Sequence, residues 1–133
     1  MARPTKPGPT DRELAILQVL WEFGDCTVRQ IQEQLQSGRK SGSATGYTTT
    51  LKIMQIMFEK GLLKRDDSGH AHVYRAAVTR DRTQRKIVGR MLDQVFDGSA
   101  QRLVLHALST RKSTPEELAE IRALLDELEG DTK

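Results

Sequence analysis

At 133 residues, with 37% hydrophobic and 5% aromatic side chains, the chain suffices for one domain, or for a small domain with an appended oligomerisation segment. It is too short for an enzyme with separate lobes. Its formal charge of +3 is unevenly spread: residues 113–133 hold seven acidic side chains against Arg122 and Lys133, a net −5 that leaves +8 on residues 1–112. A basic front with an acidic end fits a nucleic-acid-binding module joined to an interaction module. Cys26, the single cysteine, excludes an intrachain disulfide and a multi-thiolate zinc site, and is expected to be structural, in an inter-helix turn. No apolar run approaches a membrane span and Met1–Thr10 lacks a secretion signal's hydrophobic stretch, so a cytoplasmic protein without membrane insertion is expected.

Residues 1–9, with Pro4, Pro7, Gly8 and Pro9, read as a flexible basic tail carrying Arg3 and Lys6. Thr10-Asp-Arg-Glu13 has capping-box spacing and opens a first helix with Leu14, Leu17, Leu20 and Trp21 on its inner face, ended by Gly24. Thr27-Val-Arg-Gln30 repeats that spacing before a short second helix, whose apolar stripe is Val28, Ile31 and Leu35. Gln36–Gly46, rich in Ser and Gly, reads as a loop bearing Arg39 and Lys40.

A third helix follows from Tyr47 and divides its chemistry by face. Thr48, Thr49, Lys52, Gln55 and Glu59 fall on one side, and Leu51, Met54, Met57 and Phe58 on the other. The apolar side is expected in the core. The polar side carries hydroxyl, Lys and Gln groups that hydrogen-bond base edges and phosphates, and its N-terminal end favours anions, although most polar helix faces are merely solvated. Gly61 stands where a left-handed cap closes the helix. Leu62–Arg65 and His72–Ala76 then flank Asp66-Asp-Ser-Gly69, which predicts a two-stranded hairpin.

Three helices and a hairpin, in this order, predict a winged helix-turn-helix over residues 10–78, with the third helix entering the major groove. The fold class expected is mainly α with a small β-hairpin wing and a C-terminal helical dimerisation domain. From Thr79 the pattern is helical again. Ile87, Met91, Leu92, Val95 and Phe96 form one stripe; Leu103, Val104, Leu105 and Leu108 form another, beyond Gly98-Ser99. Thr114-Pro-Glu-Glu117 is a further capping box, followed by Leu118, Ile121, Leu125 and Leu128 with Leu124 beside them. These stripes have little to cover within so short a chain. Ile87, Met91, Leu92, Val95, Leu103, Leu118, Ile121, Leu125 and Leu128 are therefore expected to pack against a second copy across residues 79–129, with 130–133 as a tail.

Two other functions compete at this point. His70 and His72, two apart near the hairpin tip, suit a metal or a proton shuttle, but no carboxylate cluster or HExxH-type pair completes a catalytic site, and no enzyme activity, metal or cofactor is expected. A winged helix also serves as a protein-docking module; Ile56 leans that way, although it equally suits a thymine methyl. Arg39, Lys40, Lys52, Lys64, Arg65 and Arg75 favour a polyanion instead.

The stretch Tyr47-Thr-Thr-Thr-Leu-Lys-Ile-Met-Gln-Ile-Met-Phe-Glu-Lys-Gly-Leu-Leu63 resembles the bacterial penicillinase and methicillin-resistance repressors, the BlaI/MecI family. The likeness extends to Asp11-Arg-Glu-Leu-Ala-Ile-Leu-Gln-Val-Leu-Trp21, Val73-Tyr-Arg75, Leu103-Val-Leu105 and Ser113-Thr-Pro-Glu-Glu-Leu118. The resemblance implies a homodimeric winged-helix repressor on a two-fold symmetric operator. It puts base and phosphate contacts at Thr48, Thr49 and Lys52, with Gln55 beyond them and the wing in support. Arg65, His72 and Arg75 are the wing candidates because they are polar or cationic on the hairpin strands. In similar repressors a membrane sensor-protease pathway leads to cleavage at an Asn-Phe bond; the aligned pair here is His106-Ala107. The paired Cys-x-Cys groups of copper-responsive relatives have no counterpart.

Overall fold

Capping boxes set where three of the helices begin. In the computed structural model, which describes residues 8–38 and 46–131, helix α1 spans Asp11–Phe23. The Thr10 N–H donates to Glu13 Oε1 at 3.0 Å while the Glu13 N–H donates to Thr10 Oγ1 at 3.2 Å. Thr27 and Gln30 exchange the same two bonds at the head of α2, Val28–Gly38, as do Thr114 and Glu117 before α6, Pro115–Asp131. Helix α2 runs to Gly38, so Gln36–Gly38 is helical where a loop was expected. Arg39 and Lys40 lie outside the described residues.

Helix α3 spans Tyr47–Glu59. It closes as the position of Gly61 predicts: Gly61 takes φ +85°, and the Gly61 and Leu62 N–H groups donate to the carbonyls of Phe58 and Met57 at 3.1 and 2.9 Å. This Schellman arrangement satisfies two end carbonyls and turns the chain directly into the wing.

The wing is a three-stranded antiparallel sheet rather than a two-stranded hairpin. Strands β2 (Leu63–Asp66) and β3 (Val73–Ala76) form the hairpin, and β1 (Cys26–Thr27) pairs with β3 on its other edge, giving the order β1-β3-β2. A two-residue strand leaves no alternation to detect, which is why Cys26 was expected in a turn. Its thiol is buried, donates to the Gly24 carbonyl at 3.3 Å, and has its pKa raised by desolvation and then by the Asp25 charge.

The core gathers Ile16, Leu17, Val19 and Leu20 of α1, Val28 and Ile31 of α2, Met54 and Met57 of α3, and Leu63 and Tyr74 of the sheet, with Leu35, Leu51 and Trp21 packed at its edge. Leu14 is only half-buried, whereas Ile16 and Val19 are buried; α1 thus turns a broader face inward than expected, because it packs against α2, α3 and the wing together. Trp21 Nε1 donates to the Val78 carbonyl at 2.9 Å, tying the end of the wing to α1. Phe58, expected in the core, is exposed and carries the Arg65 guanidinium 4.4 Å from its ring centroid.

Glu13, a cap residue in sequence, is buried on α1, where both carboxylate oxygens accept from Lys60 Nζ at 3.0 and 2.8 Å. The head of α1 is thereby clamped to the end of α3, an ion pair between residues 47 positions apart.

Two compact units divide at Val88 and Gly89, within α4 (Arg80–Gln94). The second continues through α5 (Ala100–Thr110) and α6. Between α4 and α5, Asp97 and Gly98 adopt positive φ, and the Ser99 side chain caps α5 by accepting from the Arg102 N–H. The separation at Gly98-Ser99 is as the sequence predicts. Among the described residues, no helix is long and apolar enough to cross a membrane.

Candidate nucleic-acid interface

The apolar side of α3 is held inward by Met54 and Met57, which forces the opposite side out. Thr48, Thr49, Lys52, Gln55 and Ile56 are exposed. Gly46 offers no side chain to cap the helix, so its first-turn N–H groups are left for water or an anion. Thr48, Thr49, Lys52 and Ile56 also line an open groove of about 300 Å³, whose other wall is the head of α1, Thr10, Arg12 and Glu13. This arrangement presents two hydroxyls, one ammonium and an apolar side chain along a single helix face, the mixture that reads base edges and thymine methyls in a major groove.

Two cations that sequence analysis did not single out join this surface. Arg12 borders the groove from α1. Arg29, in the first turn of α2, lies 5.7 Å from the centroid of the Tyr47 ring at the start of α3. Periodicity does reveal that both are exposed, but only the packing of three helices shows that they flank the α3 face.

The wing sorts its cations by strand period. Leu63 faces the core, so Lys64 points outward and Arg65 inward; the register pairs Lys64 with Arg75 and Arg65 with Tyr74. Lys64 and Arg75 therefore stand side by side on the exposed face. A like-charge cross-strand pair is unfavourable unless an anion joins it. Asp25 is 4.0 Å from Arg75 Nε, a loose partner in which both side chains are more than half exposed. Arg65, by contrast, is engaged within the protein: it lies on Phe58, and its Nε is 2.9 Å from Asp67. Tyr74, and after it Asp67, hold its pKa above the ordinary arginine value.

His72 Nδ1 lies 2.7 Å from the same Asp67 oxygen. His70 and His72 both sit in the loop between the strands, His72 just before β3 begins at Val73 rather than on the strand as expected, so strand period does not place the two side by side. Among the described residues, no group of three or more His, Cys, Asp or Glu side chains is placed to hold a metal ion. Asp66 accepts from the Ser68 N–H and hydroxyl at 2.9 and 2.7 Å, an Asx turn that holds its pKa below the usual carboxylate value.

Of the side chains expected to pack against a second copy, Ile87 lies in the first unit and the others in the second. Ile87, Leu92, Leu103, Leu118 and Ile121 are half-buried, whereas Met91, Val95, Leu125 and Leu128 are exposed. Val104, Leu105, Leu108 and Leu124 extend the exposed apolar area.

A capped helix-turn-helix with an outward polar third helix and a cationic wing defines a winged-helix DNA-binding transcriptional regulator. The chain belongs to the Penicillinase repressor family, whose model matches residues 9–127. It is 30% identical to the Transcriptional regulator BlaI of Mycobacterium tuberculosis, in strains CDC 1551 / Oshkosh and ATCC 25618 / H37Rv. Each alignment runs over 132 residues, 98% of this chain and 90% of the relative. The family is one of transcriptional repressors, not of enzymes.

Proposed function

We propose that the protein represses transcription as a homodimer bound to a palindromic operator. The single observation that carries this reading is the exposed face of α3, on which Thr48, Thr49, Lys52 and Gln55 remain outward while Met54 and Met57 anchor the helix. Residues 10–78 bind DNA, with α3 in the major groove and the wing along the backbone; residues 79–129 dimerise. Lys64, Arg75, Arg12 and Arg29 meet phosphate, and His72 and Arg65 contribute from the wing tip; Arg39 and Lys40 supply further positive charge. Dimerisation follows from the apolar area of α5 and α6, since exposed leucines at this density are covered in a stable protein. The dimer spans half-sites one or two helical turns apart, about 10 or 20 base pairs.

Relief of repression comes from a sensor-linked signal acting on the dimerising segment. His106-Ala107 lies within α5, where the His106 carbonyl accepts from the Thr110 hydroxyl at 2.6 Å, and it lacks the Asn-Phe pair of similar repressors.

Selecting duplexes from a random pool with the purified protein tests the operator: a two-fold symmetric consensus is expected. Lys52→Ala should weaken binding to the selected duplex. A uniform loss, with the log–log salt slope falling by about one unit, means that Lys52 meets phosphate; loss of discrimination at one position means that it reads a base. Unchanged affinity would remove α3 from the groove. A pool yielding no enriched duplex would favour a protein-docking module instead, with Ile56 as an exposed anchor.

A further inference from the structure

The wing tip holds a carboxylate where a DNA-binding surface gains nothing from one. Asp67 Oδ1 is 2.9 Å from Arg65 Nε and 2.7 Å from His72 Nδ1, so one oxygen engages two side chains at the end of the hairpin. The Asx turn does not need it, because Asp66 alone accepts the Ser68 N–H and hydroxyl. The Asp67 and His72 side chains are each about half exposed, at 51% and 52%, whereas Arg65 is at 26% and lies against Phe58 of α3. Asp67 therefore does two things at once. It ties the entry of β3 to β2, and through Arg65 to the last turn of α3, so that the wing keeps one pose relative to that helix. It also offsets positive charge at the place where the hairpin would run along phosphates.

We propose that Asp67 is a specificity-determining residue of the DNA interface, acting as an internal stand-in for phosphate that occupies Arg65 and His72. The proposal rests on the DNA-binding function of this face. Non-specific affinity comes almost entirely from phosphate neutralisation, so a carboxylate that competes for wing cations lowers it directly. At the operator, base contacts from α3 add to the electrostatic attraction, and the fixed wing pose favours them. Asp67 thus widens the gap between matched and unmatched DNA without touching a base.

The test compares wild type, Asp67→Asn and Asp67→Ser in full-length protein, by fluorescence anisotropy across a salt series. The probes are a random-sequence duplex and the duplex enriched from the pool. Both variants should bind the random duplex roughly three- to tenfold more tightly and show a steeper salt slope, by up to about 0.9 for each cation released per wing. Affinity for the enriched duplex should rise less or fall, so the ratio between the two duplexes narrows. In an Arg65→Gln, His72→Asn background, Asp67→Asn should no longer produce the gain. An equal gain in that background would assign the effect to net charge alone and overturn the proposal, as would unchanged random-duplex affinity in both single variants. A wild-type protein without salt-dependent DNA binding would overturn the DNA-binding function as well, whereas wild-type binding that ignores Asp67 overturns this proposal alone.

Discussion

Removing either partner of the Glu13–Lys60 clamp should cost stability, but unequally, because the two ends are buried to different depths. The Glu13 side chain is 5% exposed and that of Lys60 31%. In Glu13→Gln the capping bonds with Thr10 can persist, since Gln serves at the same position in the Thr27 box. The orphaned Lys60 ammonium then turns to water. That loss should be about 1 kcal/mol, the value of a well-formed pair discounted for exposure of its cation. In Lys60→Met, the buried Glu13 carboxylate keeps, among the described residues, only the Thr10 N–H donating to it. An uncompensated buried charge costs about 3 kcal/mol. The difference of about 2 kcal/mol corresponds to roughly thirtyfold in the unfolding equilibrium. Urea unfolding followed by far-ultraviolet circular dichroism measures both variants, with protein concentration fixed because the proposed dimerisation would couple to folding. Equal losses, or a smaller loss in Lys60→Met, would mean that the carboxylate is hydrated, and the reasoning from burial would fail.

Other consequences follow from the same geometry. In the proposed homodimer, Leu125→Asp should put a charge into an apolar seam and shift the protein to monomer by analytical ultracentrifugation; a variant that stays dimeric removes Leu125 from the interface. The Cys26 thiol, buried and with a raised pKa, should react with a thiol reagent at least about tenfold more slowly in native protein than in urea, and equal rates would contradict its burial. Asp66 has a folded-state pKa below its ordinary value. Its carboxylate therefore contributes stability that is fully present above an unfolded value of about 3.9 and is lost as pH falls through the lower folded value. The stability advantage of wild type over Asp66→Ala should accordingly shrink on acidification, and an advantage that grows would reverse the assignment.

The start of each capped helix was legible because a capping box is a local device: Thr10 and Glu13, Thr27 and Gln30, and Thr114 and Glu117 meet within one turn, whatever surrounds them. The two faces of α3 were legible for a similar reason. Helical period alone sets Met54 and Met57 opposite Lys52 and Gln55. Phe58 and Arg65 show where period stops being enough. Each sits at the boundary of a face, and only packing brings the two together: the ring is exposed on α3 and carries a guanidinium from the wing.

What the sequence determined by itself, then, is the order of the helices and of the two hairpin strands, the starts of the capping-box helices and the family, because these arise from neighbours within a few positions and from a pattern spanning most of the chain. Only tertiary structure decided which cations are available. Lys64 and Arg75 face outward as a cross-strand pair, while Arg65 is spent on Phe58 and Asp67, and His72 is held by that same carboxylate. Glu13 likewise proved to be half of a long-range clamp as well as a helix cap. Charge in a sequence can be counted, but its pairing depends on distances between side chains, and those exist only once the helices and the wing have packed.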